Sequence, residues 1–240
     1  MSEYLLTIES HAGTPVNPSV RQDLRTMPID LPGGGRPSPT RDRIVEAAHR
    51  VMDDVGLARA TTKEIARAAG CSEATLYKYF ASKEELFLAV LRAGLPTFGA
   101  LLTELAEDPG ARTTEQALAD LAREATAFFE ASIPMGASLF AEPTLLRRQR
   151  EVLRQLRVGP HMPLLAVAEY LRAEIARGRL RADADPDAAA AMLLGACFHR
   201  AFIRTFMDPA HADRLPARSV AAPADDFAAS VAASVYRSLV

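Results

Sequence analysis

From Thr40 to the C-terminus, apolar residues recur at three- and four-residue steps, and alanine is frequent among them. That period stacks apolar side chains on one stripe of an α-helix. A half-buried strand would need strict alternation instead. Strand signals are nearly absent, with no tryptophan and no alternating run of β-branched residues. Glycine and proline punctuate the pattern at Gly56, Gly70, Gly94 to Pro96, Pro109–Gly110, Pro134, Pro143, Gly159–Pro160, Gly178, Pro186, Pro209 and Pro223. The reading is an all-α chain of roughly nine or ten helices, without an internal repeat.

Residues 1–38 break this pattern. Pro15, Pro18, Pro28, Pro32, Pro37 and Pro39 fall in or beside them, and the run LPGGGRPSPT sustains neither a helix nor a central strand. The segment reads as a flexible N-terminal arm. Gly33, Gly34 and Gly35 do not make a phosphate loop, because no Gly-Lys-Ser/Thr follows and no apolar strand precedes.

The chain of 240 residues is long enough to bury a core without disulfide staples. Its net charge of −2 excludes a protein that binds nucleic acid as a whole polycation, so any such surface must be local. Cys71 and Cys197 are isolated and lie in no metal-ligand spacing with histidine. They fit small buried residues of a reduced compartment, and no metal or cofactor is expected. There is no basic, apolar leader and no long apolar run, so the expectation is a cytoplasmic protein without a membrane partner.

Local positive reach is found in TTKEIARAAGCSEATLYKYFASKEELF, Thr61 to Phe87. It holds all three lysines of the chain and two of its five tyrosines. A preceding helix, about Pro39 to Val55, presents Ile44, Ala47, Ala48, Val51 and Met52 inward, with Gly56 just past its end. Thr61 and Glu64 form a capping-box pattern, with Thr62 as a competing cap. That helix ends near Ala69, and Gly70 suits a left-handed turn. Ser72 caps a second short helix, Glu73 to Phe80, and Ser82 with Glu85 opens a longer one. Two short helices joined by a turn that starts at glycine make a helix-turn-helix. Leu76 and Phe80 share the buried face, which turns Ala74, Thr75 and Lys78 outward, with Tyr77 and Tyr79 on the flanks. A small residue, a hydroxyl and a cation suit a major groove, and flanking phenols and Lys83 are placed for phosphates. An ordinary helical hairpin with a solvated polar face is the competing reading of spacing alone.

The stretch resembles the DNA-binding signature of the tetracycline-repressor (TetR) family of bacterial transcriptional regulators. The resemblance is carried by Thr62, Ile65, Ala66, Ala69-Gly70, Ser72, Thr75-Leu76-Tyr77, Tyr79-Phe80, Ser82-Lys83 and Leu86, and upstream by RIVEAAHRVMDDVGLARATT. It covers about residues 40 to 92. It implies DNA contacts at Thr62, Lys63, Ser72, Thr75, Tyr77, Lys78, Tyr79 and Lys83. Arg41 and Arg43, with Arg36, are expected beside the duplex. Three residues depart from the family pattern: Cys71, Glu73 and Ala74. Glu73 puts a carboxylate at a helix start, good for the dipole but poor near phosphate, and able to accept from a cytosine amine.

The resemblance implies a helix-turn-helix domain at 39–92 and a helical ligand-binding and dimerisation domain at 93–240. Within the latter, Phe98, Leu102, Phe128, Phe129, Met135, Phe140, Met162, Leu165, Phe198 and His199 are candidates to line a ligand cavity, with plain core packing the competing reading for each. Leu105, Leu121 and Leu156 are further apolar candidates, and Cys197, Arg200, Arg204 and Glu142 further polar ones. RRQREVLRQLR, Arg147 to Arg157, reads as a solvated basic helix far in sequence from the DNA-reading stretch. PDAAAAMLLGACFHRAFIRTF is apolar or small over most of its circumference, which implies burial on two sides. DDFAASVAASVYRSLV repeats Phe227, Val231, Val235 and Leu239 at four-residue steps. Both segments fit the interface of the homodimer that the resemblance implies.

The expected function is a dimeric regulator of a palindromic double-stranded DNA operator, a repressor released by a mostly apolar small-molecule effector. The alternative is a helix-turn-helix regulator governed by a protein partner. The sequence holds no Gly-x-Ser-x-Gly, His-Glu-x-x-His, P-loop or dinucleotide-binding fingerprint, so an enzyme is not expected.

Overall fold

The computed structural model describes residues 38–93, 101, 104, 105, 112–208, 215 and 220–240. The expected arm, apart from Ser38, lies outside them. The fold is all-α, and no strand occurs among the described residues. The helices are α1 (Pro39–Arg59), α2 (Thr62–Ala68), α3 (Glu73–Tyr79), α4 (Lys83–Ala93), α5 (Thr114–Gly136), α6 (Ser138–Ala141), α7 (Pro143–Leu156), α8 (His161–Ala176), α9 (Pro186–Phe206) and α10 (Ala224–Arg237).

Two apolar cores organise them. The first is built from α1 to α4 around Ile44, Ala48, Met52, Ile65, Leu76, Phe80 and Leu86, all buried. Each follows from the helical stripes in the sequence, and a buried leucine such as Leu76 contributes about 1.5–3 kcal/mol. Gly56 interrupts α1 at φ 76°, ψ 161°, a backbone region that is essentially glycine's alone. The kink folds Leu57 back into the same core.

In the second core, α5 is packed between α9 and α10, with α8 against α9. Leu118, Leu121, Ala125, Leu171, Leu193 and Phe227 are at its centre. Thr113 and Gln116 make a capping box at the start of α5. Asp185 caps α9 by accepting from the amides of Asp187 and Ala188, with Pro186 at the first helical position. Glu174 is buried beneath α5, where it accepts from the Thr114 hydroxyl at 2.7 Å and from Arg179 Nε at 2.6 Å. Burial raises its carboxyl pKa, but Arg179, Thr114 and Arg177 together outweigh that and hold it below the usual range. Burial pushes the neighbouring Tyr170 phenol up to about 12, with the Glu174 charge adding to the effect.

The two cores touch. Met135 at the end of α5 and Leu145 on α7 are buried in the core of α1 to α4. The Ala58 amide donates to Ser138 Oγ at 3.1 Å, which ties the end of α1 to α6.

Candidate nucleic-acid interface

Thr61 is the cap of α2. Its hydroxyl accepts from the Glu64 amide at 3.2 Å, and Glu64 Oε2 accepts from the Thr61 amide at 3.2 Å. The Thr61 hydroxyl holds the Glu64 carboxyl below its usual range. Thr62, the competing cap, is left as the first residue of the helix. At the other end Gly70 adopts φ 64°. Its amide donates to Arg67 O at 3.1 Å and the Cys71 amide to Ala66 O at 3.0 Å, the paired bonds of a Schellman turn. This turn sets the angle at which α3 leaves α2. Ser72 Oγ then caps α3 by accepting from the Thr75 amide at 3.1 Å, and the two hydroxyls are 2.9 Å apart.

With Leu76 and Phe80 buried, the outward face of α3 carries Glu73, Ala74, Tyr77 and Lys78, all exposed, with Thr75 and Tyr79 half-buried at its edges. Lys63, Ser72 and Arg43 are exposed as well. The fold thus brings the expected contacts of α2 and α3 to one surface. The Thr62 hydroxyl donates to Glu73 Oε1, and the Tyr77 hydroxyl lies 3.4 Å from Thr62 Oγ1. Thr62 on α2 thus links Glu73 and Tyr77 on α3.

Three expected contacts are engaged inside the protein. Lys83 Nζ donates to the carbonyls of Ala58 and Ala60, each at 3.1 Å, clamping the chain between α1 and α2. Partial burial, and to a lesser extent Arg148, lower the Lys83 pKa against the opposing pull of Glu84 and Glu142. The ammonium has three N–H groups, so one remains for a phosphate. The Tyr79 hydroxyl is 3.2 Å from Ser38 Oγ, and the Arg41 guanidinium stacks over Phe80 at 5.1 Å.

Comparison with known proteins settles the family. Residues 44–90 match the model of bacterial regulatory proteins of the tetR family, and residues 146–234 match the C-terminal domain of AefR-like transcriptional repressors. The chain belongs to the TetR family. It is 43% identical over 63 residues to the HTH-type transcriptional regulator BetI of Rhizobium meliloti (strain 1021), a stretch covering 26% of this chain and 31% of that protein. The match thus spans about a third of that relative's length. Among solved structures, a protein of Mesorhizobium loti MAFF303099 assigned to the TetR family superposes with a TM-score of 0.62 at 22% identity, covering 84% of this chain and 96% of that one. The regulator FadR from Bacillus subtilis, in complex with stearoyl-CoA, gives a TM-score of 0.57 at 17% identity over 83% and 99% of the two chains. At such identities these two likenesses concern the fold. TetR-family regulators are DNA-binding transcription factors, and this chain carries their helix-turn-helix.

Outside the helix-turn-helix, the structure departs further from the sequence reading. Phe98 and Leu102 lie outside the described residues. Phe128 and Phe129 are half-buried with ring centroids 5.2 Å apart, and Met162 and Leu165 are half-buried on α8. The other four depart from the expected cavity. Met135 is buried, but in the core of α1 to α4, because the last turn of α5 reaches past the second core. Phe140 is 78% exposed on the short α6. Phe198 packs edge-on against Phe129 at 5.5 Å yet is 40% exposed, and His199 beside it is exposed. Two open clefts of about 400 and 500 Å³ are lined by none of these residues. The larger lies between α7 and the start of α4, with Arg147 and Arg148 facing Ser82 and Glu84. The basic helix, distant in sequence, is thus a neighbour of the DNA-reading domain in space.

Arg200, a polar candidate on an apolar helix, is a buried tie. It donates to Glu130 at 2.9 Å and to the carbonyls of Val220 and Ala222 at 2.8 and 2.7 Å, with its guanidinium over the Phe227 ring. Of the two expected interface helices, α9 is apolar on two sides but buried on one. Leu193, Leu194, Cys197 and Ala201 face the core, while Met192, Phe198, Phe202 and Phe206 are exposed along the other side. The stripe on α10 is a correction: Phe227, Val235 and Leu239 are buried in the protomer's own core and Val231 packs against it. Four-residue spacing records that a face is buried, and does not record whether the partner is the same chain. No helix among the described residues is long and apolar enough to cross a membrane.

Proposed function

We propose that the protein is a homodimeric repressor that binds a palindromic double-stranded operator and is released from it by a mostly apolar small molecule. The division into a DNA-binding unit at 39–92 and a ligand-binding and dimerisation unit at 93–240 belongs to the same proposal. Thr62, Lys63, Ser72, Thr75, Tyr77, Lys78, Tyr79 and Lys83, with Arg41 and Arg43, are its DNA contacts. A two-fold dimer through the exposed side of α9 presents two copies of α3 to half-sites about one DNA turn apart.

The observation that carries the control mechanism is the shared core. Met135 and Leu145 are buried among the residues that hold α1 to α4 together, so displacement of the end of α5 or of α7 must move the reading head. Two recognition helices have to meet two groove positions at once, and a shift in their spacing forfeits contacts in one half-site. Half-buried Phe128, Phe129, Met162 and Leu165 are the side chains offered to the effector. Coupling of this kind is typically about 1–3 kcal/mol and reciprocal. A compound found by thermal-shift screening is expected to bind more weakly in the presence of saturating operator, by the factor with which it weakens operator binding. Equal ligand affinity with and without operator refutes induction by that compound. A screen of apolar compounds that produces no shift, with operator binding intact, favours control by a protein partner instead.

A further inference from the structure

We propose that Glu73 is a specificity-determining residue that selects cytosine at one position of each operator half-site and, in the absence of that base, keeps Thr62 from the phosphate backbone. This rests on the DNA-binding reading above and deepens it.

Hydrogen-bond accounting on the exposed surface leads there. A threonine hydroxyl has one proton, and that of Thr62 goes to Glu73 Oε1. The 3.4 Å contact between Thr62 Oγ1 and the Tyr77 hydroxyl must then have Tyr77 as donor. The Thr62 proton is thus given to the carboxylate and the Tyr77 proton to Thr62 Oγ1. A phosphate oxygen only accepts, so Thr62 cannot serve one without leaving Glu73. The carboxylate can release Thr62 at little cost only when another donor takes its place. At the first position of α3, where recognition helices meet base edges, the available donors are exocyclic amines.

The two amines of the major groove are not equivalent. Adenine places its N7 acceptor beside N6, against the second carboxylate oxygen, and two acceptors in contact repel. Cytosine places an apolar C5–H beside N4, and a carboxylate accepts from it without conflict. Guanine and thymine offer keto oxygens, so there Glu73 stays on Thr62 and faces the DNA as an uncompensated negative charge. Base identity and backbone grip are in this way linked through one side chain.

The test uses the full chain. Selection from a random duplex pool yields the preferred site, and affinities are then measured for all four bases at each half-site position with wild type, Glu73→Gln and Glu73→Ala. Wild type is expected to prefer cytosine at one position by about 5- to 150-fold. Glu73→Gln moves that preference to adenine, whose N6 and N7 an amide can pair together, and Glu73→Ala flattens that position alone while tightening binding to unrelated duplex. Thr62→Val weakens binding to the cytosine site by a larger factor than it weakens binding to the same site carrying thymine at that position. Base preferences unchanged in both Glu73 variants overturn the proposal while leaving DNA binding intact. A uniform loss at every position, with no change in unfolding temperature, overturns it as well, since it assigns Glu73 a general role. Failure of wild type to select any duplex overturns the DNA-binding reading itself and this one with it.

Discussion

Truncating Phe206 is expected to dissociate the proposed dimer without unfolding the protomer. Its side chain is 69% exposed at the end of α9 and packs at a tilt against Phe202, itself 44% exposed, with ring centroids 4.7 Å apart. Fully burying a phenylalanine is worth about 1.5–3 kcal/mol. Scaled by the exposed fraction, covering Phe206 against a partner contributes about 1–2 kcal/mol per copy, and a two-fold interface doubles that to about 2–4 kcal/mol. Phe206→Ala should therefore raise the dimer dissociation constant by about 30- to 900-fold. Sedimentation equilibrium over a concentration series reads the constant directly. Thermal unfolding at low protein concentration serves as control, because truncating a side chain this exposed should cost the isolated protomer within about 0.5 kcal/mol. Operator affinity should fall in step with dissociation, since one recognition helix alone cannot span two half-sites. An unchanged dissociation constant refutes the placement of the interface on this side of α9. A protomer that unfolds shows instead that Phe206 supports its own fold.

Lys83→Ala removes the clamp on Ala58 and Ala60 and should lower stability by about 1–2 kcal/mol in the absence of DNA, with a fall of about 1 in the salt slope of operator binding; unchanged chemical denaturation refutes the clamp. Gly56→Ala meets open space, since a Cβ there finds nothing within 4 Å, so its cost is the backbone strain of φ 76° alone; calorimetry should show a loss of about 1–3 kcal/mol, and an unchanged unfolding temperature refutes the strain. The Glu174 carboxyl is held below its usual range, so the folded protein binds its proton less readily than the unfolded chain does. Its stabilisation is complete above the unfolded pKa and is lost as pH falls through the folded one; Glu174→Gln should flatten that part of the pH–stability curve, and an identical acid profile refutes the assignment.

The residues legible in the sequence were those whose constraints are local. Capping by Thr61 and Ser72, the left-handed turn at Gly70 and the buried pair Leu76 and Phe80 each depend on neighbours within a few positions, so spacing alone specifies them. The helix-turn-helix was therefore readable nearly to the residue. What failed were inferences about partners distant in the chain. An apolar position on a helix states that something covers it, and Met135, Phe140 and Val235 show three different outcomes for the same signal: a neighbouring domain's core, solvent, and the protomer's own core. Charge left a second, distant role unread. Beside the phosphate contact expected of it, Lys83 donates to two carbonyls more than twenty positions earlier, a clamp that no local spacing announces. The same kind of non-local contact that hid these roles is what the proposed control rests on. A reading head closed entirely by α1 to α4 would be independent of the rest of the chain. One whose core needs Met135 and Leu145 is less stable when those side chains withdraw, and that dependence is what an effector acting on α5 or α7 has to exploit.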